Sequence, residues 1–397
     1  MEDGLAVEDD GVVIAPALLL GARRQPWLLP YAGARGLAWP FHHGTAAAPG
    51  RPLSSPAMTR PLPGEFALIA RYFAPLAAGF PGAYGLRDDA AVIVPAAGCE
   101  LVAKTDAILA GVHFLPDDPA ALVARKALRV NLSDLAAKGA VPRAYLLDLM
   151  LPPDTDEDWV AGFAAGLAED QAAYGVHLIG GDTDRTPGPL AIAITALGDV
   201  PVGRILRRGG ARPGDQIWVS GSIGDGALGL RAIRGELAGL DAAETGFLAG
   251  RYRLPQPRTA LGPGLIGLAS AALDVSDGLV ADLGHLAEVS GVCARIEAAR
   301  VPLSPPARQA IAAAPALLAA ALTGGDDYEI VLAAPPEAAP ALAALSREAA
   351  VPLTAIGRLE APGPAGPGVE VIDAAGRPLA LAAAGWNHFA ATARGAG

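Results

Sequence analysis

The sequence predicts two α/β domains, or α+β should their sheets prove antiparallel. Short apolar runs alternate with longer stretches whose apolar residues recur at helical spacing, giving repeated strand-helix steps. A Gly-, Arg- and Pro-rich seam over residues 198–214 divides this alternation in two. The 397 residues suffice for two domains of ordinary size. The expected divisions are a disordered N-terminal extension over 1–60, an N-terminal domain over 61–205 and a C-terminal α/β domain over 206–397.

Residues 1 to about 60 are dominated by Pro, Gly, Ala and Arg with neither helical nor strand period. Met58 opens a regular start, so residues 1–57 are expected to be dispensable. From Glu65, Phe66, Ile69, Ala70 and Phe73 mark a helix to Leu76. Strands are expected at Ala90–Val94 and Glu100–Asp106, then a long helix at Ala120–Lys138, stopped by Gly139. Tyr145–Leu151 reads as a strand broken by Pro152-Pro153. Asp156–Tyr174 reads as a helix with the acidic first turn that the macrodipole favours. Strands Val176–Ile179 and Leu190–Ala196 flank an expected turn at Gly180-Gly181-Asp182-Thr183.

Beyond the seam, strands are expected at Gln216–Ser220, Ala272–Val275, Val292–Ile296, Tyr328–Ala333, Leu353–Leu359 and Val369–Ile372. Helices are expected at Gly226–Glu236, Thr259–Ala269, Gly278–Ser290, Ala307–Ala321 and Glu337–Glu348.

Composition narrows the function. The chain is 52 % hydrophobic and 18 % charged, with net charge −11. Its pI is near 5.0. Such acidity argues against nucleic acid as a partner, since binding it takes clustered Lys and Arg. Cys99 and Cys293 lack metal or redox spacing, which suits a reduced, cytoplasmic protein. Mean hydropathy is +0.35, but no apolar run reaches the ~20 residues of a spanning helix. No membrane partner is expected.

Six carboxylate clusters stand beside Gly, Ser or Thr: Asp88-Asp89, Thr105-Asp106, Asp134, Gly181-Asp182, Asp274-Val-Ser-Asp277 and Gly325-Asp326-Asp327. Two carboxylates about 4 Å apart repel by roughly 4 kcal/mol at an effective dielectric near 20. A fold that gathers several therefore needs protons, basic partners or metal ions between them. Oxygen-only ligands suit Mg²⁺ with phosphates, and no His/Cys spacing suits zinc. Asp134 stands out as a carboxylate on an apolar helix, where an unpaired charge is expensive. An ion pair with Lys138 or Arg129 competes with metal ligation there. A helix cap by Ser276 or Asp277 competes with phosphate binding at the strand-helix junction. No Ser-His-Asp arrangement, nucleophile elbow or P-loop is present.

The stretches GEFALIARYF, LRDDAAVI, TDAILAGVHF, KALRVNLSDLAAKGA, LIGGDT, LDVSDGLVADLGH, GGDDYE and GWNHF occur in this order between Gly64 and Phe389. As an ordered set they resemble the thiamine-monophosphate kinase family of the aminoimidazole-ribonucleotide-synthetase-like superfamily. The resemblance implies an N-terminal ATP- and Mg-binding domain that contributes to a homodimeric barrel, and a C-terminal domain packed beside it. It implies ATP-dependent phosphorylation of thiamine monophosphate with several Mg²⁺ ions. By position it implies metal ligation by Asp89, Thr105, Asp106, Asp134, Asp182, Asp274 and Asp277. It implies ATP binding by Gly181, Asp182, Arg208 and Ser276, and substrate binding by His113, Asp326 and Trp386. It implies that Asp134 and Asp277 stand at the catalytic centre.

Three positions depart from the family pattern: Arg87 replaces Gly, Lys104 replaces a small hydroxyl residue, and Asp326 replaces Glu. The two cations could stand in for a metal's charge. Two other readings are an aminoimidazole ribonucleotide synthetase-like enzyme and a non-catalytic Mg-nucleotide-binding protein.

Overall fold

A computed structural model describes residues 60–381 and 384–386. The expected extension, apart from Arg60, and the Met58 start lie outside the described residues, as do Asn387, His388 and Phe389. The described chain opens with α1 (Glu65–Leu68), which runs on as a π-helical turn (Ile69–Phe73) and a 3₁₀ turn (Ala74–Ala77). The helix expected over 65–76 is therefore present but not uniformly α.

The first sheet combines β1 (Cys99–Leu109), β2 (Val141–Leu151), β3 (His177–Arg185) and β4 (Ala191–Pro201) in the order β1-β4-β2-β3. The β2/β3 pair is parallel and the other two pairs are antiparallel. Between these strands run α2 (Ala120–Ala137) and α3 (Glu157–Tyr174). Asp156 caps α3 by accepting from Trp159 N at 2.8 Å. Leu128, Val130, Leu132, Phe163 and Leu167 share a core with Tyr145, Leu147 and Leu149 of β2. The alternation of β2 sends these strand residues to the helical face and Asp148 to the other.

The second sheet is built from β5 (Gln216–Ser220), β6 (Ala271–Asp274), β7 (Cys293–Glu297), β8 (Ile330–Ala334), β9 (Leu353–Glu360) and β10 (Gly368–Ile372). Its order is β10-β7-β9-β5-β8-β6, with only β10/β7 parallel. The helices of this half are α4 (Asp225–Ile233), α5 (Ala242–Arg253), α6 (Leu279–Ser290), α7 (Pro305–Ala313), α8 (Leu317–Thr323) and α9 (Ala339–Glu348). Both sheets are mainly antiparallel, so the α+β form of the expectation applies.

Helix α2 joins the two halves. Its end, Ala136 and Ala137, packs with Leu265, Ala272, Ile330 and Leu332 around the second sheet. Being covered on both sides, α2 buries Lys126, Arg129, Asn131 and Asp134 as well as its apolar stripe.

Several expected elements are corrected. Ala90–Val94 forms no strand: Val92 N donates to Gly82 O at 2.9 Å, and no sheet ladder forms there. Gly180–Thr183 is not a turn but lies within β3, which passes it on an irregular register with β2. Thr259–Ala269 contains only a 3₁₀ turn at Gly262–Leu265, because Gly262, Pro263 and Gly264 disfavour α-helix. Helix α5 was not foreseen, although Asp241 and Glu244 form a full capping box at its start. The helix expected over Ala307–Ala321 is two, parted at Ala314-Pro315, where proline pushes its predecessor out of the helical region.

Candidate active site

Alternation along β1 sends Lys104 and Asp106 to the same face, towards α2. Asp106 N donates to Asn131 Oδ1 at 2.9 Å, which ties the strand to the helix one turn before Asp134. Lys104 Nζ lies 2.8 Å from Asp134 Oδ2 and 3.1 Å from Asp106 Oδ1. Asp134 thus pairs with a residue of the facing strand, not with either cation of its own helix. Lys138 Nζ donates instead to Ala272 O at 2.8 Å, and Arg129 holds Asp170 at 2.7 Å.

A third carboxylate comes from the other half of the fold. Asp274 ends β6, is 5 % exposed, and has an Oδ2 buried without a hydrogen-bond partner. Burial first, and then the Asp134 charge, push its carboxyl well above the usual range. Burial also pushes Asp106 up; Lys104 opposes that shift, while Asp134 and Asp277 add to it. Burial works against the Lys104 ammonium, but the Asp134 and Asp106 charges outweigh it and raise its pKa. Lys138 shifts the other way, lowered by burial and by the neighbouring Arg208 and Lys104 charges.

The turn after β6 forms the adjoining wall. Ser276, Asp277 and Gly278 donate their N–H groups to Asp282 Oδ2 at 2.9, 2.9 and 3.2 Å. The acceptor is therefore Asp282 in the first turn of α6, and neither Ser276 nor Asp277 caps that helix. Ser276 O accepts from Asp326 N at 2.9 Å, and Val275 O accepts from Tyr328 N at 2.8 Å. The two acidic loops are thereby laced together. Asp327 turns away and accepts from Gly224 N and Gly226 N at 2.7 and 2.9 Å. Trp386 N donates to Asp277 O at 2.9 Å, and the residue is 58 % exposed.

His113 and Asp326 meet through Lys126. This buried lysine donates to His113 O at 2.7 Å and pairs with Asp326 Oδ1 at 3.0 Å. Its Nζ also lies 3.7 Å from the centroid of the Tyr252 ring. Lys126 is not among the expected site residues; a lysine within an otherwise apolar helix stripe was its signal in the sequence. Asn131, Tyr252 and Asp282 were not singled out either.

Asp88, Asp89, Gly181, Asp182 and Thr183 line a different cleft, of about 780 Å³, together with Arg87. The lining of this cleft does not include Asp106, Asp134, Asp274 or Asp277. Gly181 has φ +144°, and a Cβ there would stand 1.8 Å from Leu147 O. This position requires glycine because β3 bulges against β2. Thr105 is not brought to the Asp106 cluster: its Oγ1 donates to Ile194 O at 3.2 Å and accepts from Thr195 Oγ1 at 3.1 Å, on the opposite face of β1. Arg208 is exposed and lies within electrostatic reach of Lys138.

Among the described residues, no three or more His, Cys, Asp or Glu side chains are grouped to hold a metal ion. Mg²⁺ does not need such a cage, since it binds through one or two carboxylates plus waters and substrate phosphates. The unpartnered Asp274 Oδ2 beside Asp134 is a buried hard oxygen of the kind that ion uses, so the donor set fits Mg²⁺.

Comparison with known proteins agrees with this fold. Residues 87–200 match the AIR synthase related protein N-terminal domain, and residues 212–367 the corresponding C-terminal domain. A thiamine-monophosphate kinase of Caulobacter vibrioides is 44 % identical over 329 residues, covering 82 % of this chain and 91 % of the relative. The crystal structure of a thiamine-monophosphate kinase from Stenotrophomonas maltophilia aligns with TM-score 0.66 and 42 % identity, over 72 % of this chain and 89 % of that one. AaThiL complexed with AMPPCP and TMP aligns with TM-score 0.64 and 32 % identity, over 76 % and 91 % of the two chains. The chain belongs to the thiamine-monophosphate kinase family, and is built from the N- and C-terminal AIR synthase related domains.

Proposed function

We propose that this protein transfers the γ-phosphoryl group of ATP to the phosphate of thiamine monophosphate, releasing ADP and thiamine diphosphate. An oxygen of the acceptor phosphate forms a bond to Pγ as the bond from Pγ to the β,γ-bridging oxygen breaks. No covalent enzyme intermediate is needed. Catalysis of this kind rests on positioning and on stabilising charge. The observation that carries the reading is Lys104 bridging Asp106 of a strand and Asp134 of a helix, with the buried Asp274 of the other half within electrostatic reach of Asp134.

Bound Mg²⁺ would screen the two anionic reactants from each other. Asp106, Asp134, Asp274 and Asp277 would hold ions at the centre, with Asp89 and Asp182 serving from the cleft; the Thr105 hydroxyl faces away from them. Gly181 and Asp182 present backbone and carboxylate to the nucleotide. Arg208 and the Ser276 turn face its phosphates. His113, Asp326 and Trp386 receive thiamine monophosphate, with the indole available to a cationic or aromatic ring.

The open face of the first sheet supports the barrel-forming homodimer. Ala103, Thr105 and Ala107 are exposed there, and Val92 and Val94 are 54 % and 71 % exposed nearby. A cytoplasmic location accords with the reading, and no described helix is long and apolar enough to cross a membrane.

The test is purified protein with ATP, Mg²⁺ and thiamine monophosphate, followed by chromatography for thiamine diphosphate. Product should form, and Asp134→Asn should lower turnover by at least about 100-fold with its circular dichroism unchanged. ATP binding without product in the wild-type protein would overturn the kinase reading.

A further inference from the structure

Among the described residues, Lys104 sets its ammonium between two carboxylates from separate elements. Its Nζ stands 2.8 Å from Asp134 Oδ2 and 3.1 Å from Asp106 Oδ1. The Lys104 side chain is 30 % exposed, against 12 % for Asp134 and 39 % for Asp106. An ammonium has three N–H donors. Two carboxylates take two of them, and one is left for an incoming anionic oxygen. A cation in this position screens two like charges brought together by separate elements, as a metal ion would. Asp274 is treated differently: its Oδ2 has no hydrogen-bond partner. Lys138, which lies within electrostatic reach of Asp274, donates to Ala272 O. The centre therefore divides into a part whose charge is already balanced and a part with a buried carboxyl oxygen still open.

We propose that Lys104 is a built-in cation of the phosphate site, holding between Asp106 and Asp134 the place that a divalent ion would otherwise take. The chain then binds one divalent ion fewer alongside nucleotide than it would with a neutral side chain at this position. The open Asp274 oxygen keeps a neighbouring ion in place, and Lys104 offers its remaining N–H to a phosphate oxygen. A fixed ammonium also offsets the repulsion between the two carboxylates before any metal arrives, so this part of the site is organised in the metal-free protein. The proposal rests on the Mg-phosphate reading of the site.

The experiment counts Mn²⁺ bound per chain, by electron paramagnetic resonance of free Mn²⁺ in the presence of the non-hydrolysable analogue AMPPCP. It compares the wild-type protein with Lys104→Ser, Lys104→Gln and Lys104→Arg, each checked for folding by circular dichroism. Either neutral variant suffices should the other fail to fold. The neutral variants should bind one Mn²⁺ more than the wild type, and Lys104→Arg should match the wild type. Equal non-zero counts in wild-type and neutral variants would overturn this proposal and leave the metal site standing. Absence of bound Mn²⁺ in every form would overturn the metal site itself, and the proposal with it.

Discussion

Lys126, on α2, holds the Asp326 carboxylate at 3.0 Å across the boundary between the two halves of the fold. Asp326 takes φ +73°, in the left-handed region that non-glycine residues occupy uncommonly. Lys126 also donates to the His113 carbonyl at 2.7 Å. The lysine is thus a positioning residue for both ends of the proposed thiamine monophosphate subsite.

Replacing Lys126 by Met keeps the stem and removes the ammonium. Asp326 keeps some access to water, so the fold should survive. A charge-assisted hydrogen bond of this kind contributes roughly 1.5–3 kcal/mol, which corresponds to about a tenfold or larger rise in KM for thiamine monophosphate. KM for ATP should move much less. Steady-state kinetics in both substrates, with Lys126→Arg as the conservative control, measures the split; an equal loss for both substrates would contradict the positioning role.

Gly181 offers a sharper structural test. A Cβ would stand 1.8 Å from the Leu147 oxygen and 2.6 Å from its carbon, and the backbone sits at φ +144°. Neither contact involves a flexible side chain that can move aside. Gly181→Ala should cost on the order of 3 kcal/mol, through backbone strain and displacement of β3 from β2. Urea unfolding of wild type and variant measures the difference, and near-equal midpoints would show that the bulge relaxes easily.

Glu329 is the anchor of a buried ionic cluster behind the acidic loops. It accepts from Arg251 at 2.8 Å, from Arg258 Nε at 2.6 Å and from Ser220 Oγ at 2.6 Å, and it is fully buried. Glu329→Gln leaves two arginines facing a neutral amide. Breaking a buried pair in this way destabilises by roughly 3–5 kcal/mol. Differential scanning calorimetry should show a clearly lower Tm, and an unchanged Tm would mean that water reaches the arginines.

What the sequence reveals about this site depends on how local each signal is. Asp134 was conspicuous because a carboxylate on an apolar helix is visible within one turn. Its partner Lys104 lies thirty residues away on a facing strand, so the local candidate Lys138 took its place in the sequence reading. The strand-helix alternation of the second half was readable because each step closes within a short segment. The conformation of Gly180-Gly181 was not, because it exists only against the parallel partner β2. Ala90–Val94 has strand composition but finds no ladder among the described residues, and periodicity alone does not say where a partner strand stands. Helix α5 was missed for the opposite reason: its moderate apolar pattern hid a capping box that was fully local.

Asp282 makes the pH dependence of stability testable. Three N–H groups of the Ser276 turn point at its Oδ2 and favour the ionised form. Burial outweighs them, the Asp277 charge adds to it, and the carboxyl is pushed up to about 7. An unfolded aspartate titrates near about 3.9. Between these two values the folded chain retains a proton that the unfolded chain has released. Stability therefore falls as pH rises through this window, by up to about 1.4 kcal/mol per pH unit, and the loss is complete above pH 7. Below pH 4 or so both states are protonated and the penalty vanishes. Asp282→Asn keeps an oxygen acceptor for the turn and removes the titration. Thermal melts of metal-free protein at pH 5 and pH 8 should show the variant gaining on wild type at the higher pH, by an amount on the order of 2 kcal/mol. The same difference at both pH values would mean that the three amides keep Asp282 ionised throughout. The Ser276 turn would then act as an anion cradle already filled by its own helix.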